Sequence, residues 1–166
     1  MNIFKLFFGK EKSEEKIEKR DANIKNNHPE WDEVFEARMT TDLNKMLEVV
    51  NLKTDLVNRH FLLQTIVSET YKLREQENFK ILSIKYSEIH IAEFPKIAVD
   101  LRKEMDGILP RITTFQNYAT LLTEIGDFDK AISVCEMAMS FGLNDGTKSN
   151  YQGRIERIKK KDNLEK

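Results

Sequence analysis

Few residues of this chain have the chemistry of a catalytic or metal site. There are three histidines, His28, His60 and His90, and one cysteine, Cys135. The histidines are scattered, and the segment EIHIAE around His90 lacks the second histidine of a zinc-protease helix. Cys135 lies in an apolar helical pattern, which favours a core position over a nucleophile. We therefore expect no enzyme activity, no metal site and no cofactor.

The segment Asp145–Lys148 places a glycine, a threonine and a lysine at the expected start of a helix. Free N–H groups at a helix start attract anions, but the spacing differs from that of a nucleotide-binding P-loop. We expect a structural loop in which Thr147 caps the helix. The candidates for anion contact are Lys148, Arg154 and Arg157. A basic stretch at 159–161 has no RNA-binding motif beside it, so nucleic acid is not the expected partner.

The N-terminus is an apolar segment followed by a charged one. Its apolar residues are Ile3, Phe4, Leu6, Phe7 and Phe8. The segment is too short for the apolar region of a signal peptide and has no small-residue cleavage site. Residues 10–28 carry mixed charge and few apolar side chains, which is typical of a linker. Three alternatives stay open: Phe4, Phe7 and Phe8 contact a membrane surface, the segment docks on the helical part, or it is disordered.

Composition indicates an ordinary globular protein. The chain of 166 residues is long enough for one domain with its own core, and 40% of it is hydrophobic. Lys and Arg total 27 against 28 Asp and Glu, so the net charge of −1 gives no overall attraction to nucleic acid or anionic membranes. No stretch reaches the roughly 18 to 20 apolar residues of a membrane span. The single cysteine fits a reducing compartment, and we expect a cytoplasmic protein.

Glycine and proline are sparse in the first two thirds of the chain. There is no glycine between Gly9 and Gly107, and no proline between Pro29 and Pro95. Apolar residues three or four apart then predict long helices. One of them is expected to end before Pro95, because the residue preceding a proline avoids the helical conformation. The helices predicted in this part cover 31–51, 55–74, 76–93 and 96–106.

The last third predicts three further helices, over 112–125, 128–141 and 148–161. A tight turn at Gly126 and Asp127 separates the first two, and Gly142 ends the second. The sequence therefore predicts about seven helices and no sheet. Helices joined by such short connections pack as antiparallel neighbours, which makes a helical-hairpin stack.

The stretch FQNYATLLTEIGDFDKAISVCEMAMSFG, residues 115–142, resembles a tetratricopeptide repeat (TPR). The matching positions are Phe115, Ala119, Gly126, Asp127, Phe128, Ala131, Cys135 and Ala138. The small alanines let two helix backbones approach, while the aromatic residues fill the seam. The ending DGTKSNYQGRIERIKKK, residues 145–161, is similar to the close of a group of bacterial TPR-like proteins of unassigned role. The resemblance covers about 108–161 and implies a fold without an activity.

An earlier hairpin, residues 63–95, fits the same template loosely. Phe79 and Phe128 stand 49 residues apart, whereas TPR units repeat every 34 residues. An extra helix containing Leu101 would separate the two units, so we expect an irregular TPR-like stack. The expected organisation is an apolar segment and linker at 1–28, a TPR-like helical domain at 29–162 and a tail at 163–166.

The TPR resemblance implies where a partner binds, because the first helix of each hairpin lines the concave face of such a stack. On the helix over 112–125 that face carries Thr113, Gln116, Asn117, Thr120, Thr123 and Glu124. We expect a non-enzymatic adaptor or scaffold that binds a peptide or protein through this groove. The alternative is a peripheral membrane or nucleic-acid-associated adaptor that uses the apolar N-terminus or the basic C-terminal helix. The six residues also fit an ordinary solvated surface.

Deletion of residues 1–28 should leave the helical circular-dichroism signal of the rest intact, because the charged linker separates the apolar segment from the first periodic helix. Aggregation of the shortened chain would instead mean that Phe4, Phe7 and Phe8 cover part of the core. Flotation of the full chain with liposomes, lost on Phe4→Glu, would favour the membrane alternative.

Overall fold

The fold is an all-helical stack, as the sequence predicts. The computed structural model describes residues 32–165, so the alternatives for residues 1–28 lie outside it. Those residues form seven helices and no strand. The helices are α1 (Glu33–Met39), α2 (Leu43–Val49), α3 (Leu56–Lys72), α4 (Glu77–Glu104), α5 (Thr113–Glu124), α6 (Phe128–Ser140) and α7 (Asn150–Glu165). Within the described part of the chain, no helix has the length and apolar character needed to cross a membrane.

Two apolar cores hold the helices together. The first joins α1, α2 and α3 to the N-terminal half of α4, and includes Met46, Leu63 and Tyr86. The second joins the C-terminal half of α4 to α5, α6 and α7, and includes Phe94 and Phe115. The long hairpin of α3 and α4 therefore lies beside the shorter hairpin of α5 and α6, and α4 takes part in both cores.

The single helix predicted over 31–51 is wrong, because the chain breaks at Thr40 and Thr41. Thr41 has a φ of 56°, a left-handed conformation that ends a helix. The Thr40 hydroxyl donates to the carbonyl of Ala37 and accepts from the amide of Asp42. The Asp42 carboxylate then caps α2 by accepting from the amides of Asn44 and Lys45. The helical spacing of apolar residues continues through Thr40 and Thr41, but local side-chain hydrogen bonds end the helix there.

The predicted end before Pro95 is also wrong. The helices expected over 76–93 and 96–106 are one helix of 28 residues, with Pro95 inside it. A proline in a helix interior costs about 3 kcal/mol, since it removes the bond to the carbonyl four residues earlier. Burial of one large apolar side chain contributes about 1.5 to 3 kcal/mol. Phe94, Ile97 and Leu101 are all fully buried on the same face, so continuing the helix is favoured.

The start of α7 differs from the prediction as well. Thr147 does not cap it: its hydroxyl donates to the Asp145 carboxylate, and the helix begins at Asn150 and runs to Glu165, into the expected tail at 163–166. The two glycine turns are confirmed. Gly126 and Gly142 both have positive φ, and the amide of Leu143 closes the end of α6 by donating to the carbonyl of Ala138.

Replacement of Ala131 by leucine should lower the free energy of unfolding by about 1 to 3 kcal/mol, the usual cost of overpacking. Ala131 and Ala138 are fully buried between helices, as the repeat-like spacing predicts. Glu136→Leu is the matched control, because Glu136 is exposed on the same helix. Equal thermal melting of Ala131→Leu and the unsubstituted chain would contradict the close approach of the helices.

Candidate functional site

The candidate site is the polar side of α5, which lies between α3 and α7. We call it the α5 face, and it consists of Thr113, Gln116, Asn117, Thr120, Thr123 and Glu124. All but Glu124 are half-buried. The opposite side of α5 carries Phe115, Tyr118 and Leu122, which are buried in the second core. The helical period thus separates a core side from a side available for contacts.

Helix α3 and the turn that follows it border the two ends of the α5 face. At one end the amide of Thr113 donates to Gln64 Oε1 at 2.9 Å, and the hydroxyls of Thr113 and Ser68 lie 3.4 Å apart. At the other end Arg74 grips Glu124 with two N–H donors, at 2.8 and 3.0 Å. Such paired bonds fix both planar groups. One end of α5 is therefore bonded to α3, and the other end is bonded to the turn after α3.

Basic side chains border the opposite edge of the α5 face. Arg154 of α7 donates to the Thr120 hydroxyl at 2.8 Å, and Lys161 donates to the Thr123 carbonyl at 3.0 Å. Arg111, just before α5, donates to Gln116 Oε1 at 3.1 Å. Three cations thus follow α5 roughly one turn apart. Each is held by a hydrogen bond to the face itself.

Asn117 occupies the middle of the α5 face, four residues after Thr113 and three before Thr120. Its side chain is half-buried and makes no hydrogen bond to another described residue. An asparagine amide offers two N–H donors and a carbonyl acceptor. This is the pattern that pairs with a peptide backbone, which presents one donor and one acceptor per residue. Its neighbours on the face are held by partners, whereas the amide of Asn117 is available.

The three candidates for anion contact do not form one site. Lys148 is exposed in the loop before α7, and Arg157 donates to the Ser149 hydroxyl at 3.2 Å. Arg154 instead joins the α5 face and pairs with Asp145, which is 2% exposed. Burial alone would raise the pKa of Asp145, but hydrogen bonds from Thr147 and attraction to Arg154 hold that pKa below its usual value. This cluster joins the loop before α7 to the first turns of that helix.

Two histidines that are far apart in sequence meet inside the protein. His60 Nδ1 of α3 lies 2.9 Å from His90 Nε2 of α4, and His90 Nδ1 lies 2.7 Å from the Thr114 hydroxyl of α5. All three side chains are buried. His60 Nε2 has no hydrogen-bond partner among the described residues. Each neutral ring carries one N–H, so a hydrogen bond between the two rings requires one of them to donate and the other to accept.

The surroundings of the histidine pair favour the neutral rings. Burial lowers the pKa of His60 to about 4. Burial also lowers the pKa of His90 well below its usual value, and repulsion from a protonated His60 and from Arg59 adds to this effect. Arg59 is close by because it pairs with Glu93 across the hairpin of α3 and α4, through bonds of 2.8 and 2.9 Å. Both rings are therefore neutral at pH 7.

The sequence did not predict several of the residues that border the α5 face. Arg74, Arg111 and Lys161 border the α5 face but come from other parts of the chain. One signal was present: Arg154 and Lys161 are seven residues apart, which places them on one side of a helix. The contact of this side of α7 with α5 depends on how the helices pack, which no local sequence pattern indicates.

The remaining reactive groups are withdrawn from solvent. Cys135 is fully buried in the second core, and burial raises the pKa of its thiol to about 11. A thiol in this environment is a poor nucleophile, because the thiolate is the reactive form. Among residues 32–165, no three His, Cys, Asp or Glu side chains are grouped so as to hold a metal ion.

Comparison with known proteins yields no relative for this chain. No protein-family model, no curated protein and no solved structure matches it. The resemblance to TPR proteins therefore depends on the residues quoted above.

The histidine pair should make stability depend on pH. A folded-state pKa below the unfolded value of about 6.5 means that the unfolded chain binds protons first, so stability is lost as pH falls. Between pH 7.5 and 5 His60 should lower the free energy of unfolding by about 2 kcal/mol, and His90 should add to this loss. Urea unfolding at several pH values in this range measures the effect, above the region where carboxylates titrate.

His60→Leu is the variant that isolates this contribution. The variant and the unsubstituted chain can differ in stability at pH 7.5. Between pH 7.5 and 5, however, the free energy of unfolding should fall less in the variant, by about the contribution of one histidine. An unchanged pH dependence in His60→Leu would contradict the neutral buried pair.

Proposed function

We propose that this chain is a non-enzymatic, TPR-like adaptor that binds an extended segment of a partner protein along the α5 face. The observation that carries the proposal is the Asn117 amide, which makes no hydrogen bond to another described residue and lies at the centre of a face whose other polar groups are bonded. Fixed neighbours lower the entropy cost of binding, because the face does not have to be ordered first.

The arrangement of helices supports a TPR-like stack. Helices α3 and α4 form one hairpin and α5 and α6 form the next, with α7 packed after them. The first helices of the two hairpins, α3 and α5, contact each other, and α7 continues this row through Arg154 and Lys161. Ala119 and Ala131 are fully buried where α5 and α6 approach. A row of first helices is the surface on which helical repeat proteins bind their partners.

The hydrogen-bonding capacity of the face fits a peptide better than a hydrocarbon surface. Gln64 and Ser68 of α3 and Asn117 of α5 follow one another across the row of helices. Asn117 supplies donors and an acceptor together, whereas burial of such an amide against hydrocarbon would leave it unpaired. A peptide backbone satisfies both kinds of group.

The charges of α7 also favour a peptide partner over nucleic acid. Arg154 pairs with Asp145, and Lys161 lies 3.5 Å from Glu165 while donating to Thr123. These cations are partly neutralised within the chain. Arg157, Lys159 and Lys160 are exposed on α7, but no RNA-binding motif accompanies them. The membrane alternative depends on Phe4, Phe7 and Phe8, which lie outside the described residues.

The chemistry of the described residues agrees with a binding role. Cys135, His60 and His90 are the cysteine and the histidines of the described residues, and all three are buried. Burial keeps the two histidines neutral and the thiol protonated, so none of them presents a reactive group at the surface.

Site-specific photo-crosslinking in cells that naturally make the chain tests the binding surface. A benzophenone amino acid in place of Asn117 should form an adduct with a discrete partner, because it lies at the centre of the α5 face. The same amino acid in place of Glu136, which is exposed on α6, is the control and should form none. Adducts at both positions, or at neither, would contradict the proposal.

The partner identified in this way allows a quantitative comparison. Asn117→Ala should weaken binding about three- to tenfold for each lost hydrogen bond, with little dependence on salt. A variant with Lys159, Lys160 and Lys161 all changed to Ala should retain most of the affinity. If only the triple variant loses binding and high salt abolishes it as well, the basic helix is the binding surface and the α5 face is not.

A further inference from the structure

A cleft of about 480 Å³ opens between two connections of the chain, the one from α4 to α5 and the one from α6 to α7. Its volume lies within the range of small-molecule sites, roughly 300 to 1,000 Å³. The cleft is lined by Arg102, Gly107, Ile108, Leu109, Pro110, Arg111, Phe141, Gly142, Leu143, Asn144 and Gly146. Two arginines and several apolar side chains thus face one space, and no Asp or Glu lines it.

The two arginines hold the connection after α6 from both sides. Arg102 donates to the Phe141 carbonyl at 3.1 Å, and Arg111 donates to the Asp145 carbonyl at 3.2 Å through the same Nη2 atom that reaches Gln116. A guanidinium has five N–H donors. Most donors of both side chains therefore lack an acceptor among the described residues. Asp145, whose carbonyl Arg111 contacts, directs its carboxylate to Thr147 and Arg154 instead.

The glycine amides of the lining are already used within the chain. Gly107 donates to the Arg102 carbonyl, Gly142 to the Met139 carbonyl and Gly146 to Asn144 Oδ1. The two guanidinium groups are the charged donors that line the cleft. Arginine pairs with planar oxyanions through two parallel N–H bonds, which carboxylates and phosphates both accept.

The rest of the lining is apolar. Leu143 is buried, Leu109 and Phe141 are partly buried, and Ile108 is 73% exposed at the surface. An apolar side chain as exposed as Ile108 gains from contact with hydrocarbon. Cations beside an apolar surface match a molecule that joins an oxyanion to a hydrocarbon body.

The geometry points to a binding site for a small organic anion in this cleft, with a carboxylate or phosphate held by Arg102 and Arg111 and an apolar body against Leu109, Phe141 and Leu143. The site goes beyond the proposed adaptor function and does not depend on it. Arg111 belongs to both regions, since it also contacts Gln116, so the test uses a readout confined to the cleft.

An NMR titration of the full ¹⁵N-labelled chain provides that readout. Hexanoate and hexyl phosphate are the anionic probes, and hexanol is the uncharged probe with the same hydrocarbon tail. The amide signals of Gly107, Gly142 and Gly146 report on the cleft, whereas Gly126 and Gly153 lie outside its lining. We expect saturable shifts of the three cleft glycines with an anion and weak shifts with hexanol. The anion that binds with the higher affinity shows whether the site prefers a carboxylate or a phosphate.

Arginine variants then test the role of charge. Arg102→Gln and Arg111→Gln should each weaken the binding of the anionic probe at least about tenfold, because each removes charge-assisted hydrogen bonds. Arg102→Lys keeps the charge and is the control for disturbance of the loop. It should give an unchanged circular-dichroism spectrum and retain weak binding of the anion. Arg157→Gln is the matched control, since Arg157 lies on α7 outside the cleft.

Three results would overturn the site. The first is the absence of saturable shifts at the cleft glycines with either anion. The second is equal shifts with hexanol, which would indicate apolar contact alone. The third is equal weakening by Arg157→Gln, which would indicate attraction to the general positive charge of the region.

Discussion

A chain of buried polar groups ties three helices together: His60 of α3, His90 of α4 and Thr114 of α5. Buried polar atoms must be paired to avoid a large desolvation cost, so these helices are held to one alignment. A shift of α5 by one residue would separate Thr114 from His90. The same alignment turns the neighbouring Thr113 outward to Gln64 and Ser68 of α3. The position of the α5 face therefore follows from a contact inside the protein.

Much of the fold could be predicted from sequence. Apolar spacing located α3, α5 and α6 within a few residues, and glycine marked two of their ends. The errors have local physical causes. At Thr40, hydroxyl bonds to nearby backbone end a helix that its apolar period would continue. At Pro95, the burial of Phe94 and Leu101 outweighs the helix-breaking tendency of proline. At both positions a local backbone preference opposes the burial of apolar side chains. The relative size of these two contributions to the free energy cannot be read from the sequence.

The candidate site was predictable only in part. The helical period places Thr113, Asn117 and Thr120 on one side of a helix, which required no knowledge of packing. The cations beside them, Arg154 and Lys161, come from a helix more than thirty residues later, and their approach depends on how two hairpins stack. The pairing of His60 with His90 was missed for the same reason. Each histidine looked isolated, because the alignment of the two helices of a hairpin is set by the core.

The length of α4 has a consequence for how the protein unfolds. In a regular repeat array each unit contacts only its neighbours, so terminal units can open while the rest stays folded. Here one helix contributes Tyr86 to the first core and Phe94 to the second. Neither core can open without exposing part of the helix that the other core requires. The sharing of α4 thus joins the two halves into one cooperative unit, in which the loss of either hairpin entails the loss of both.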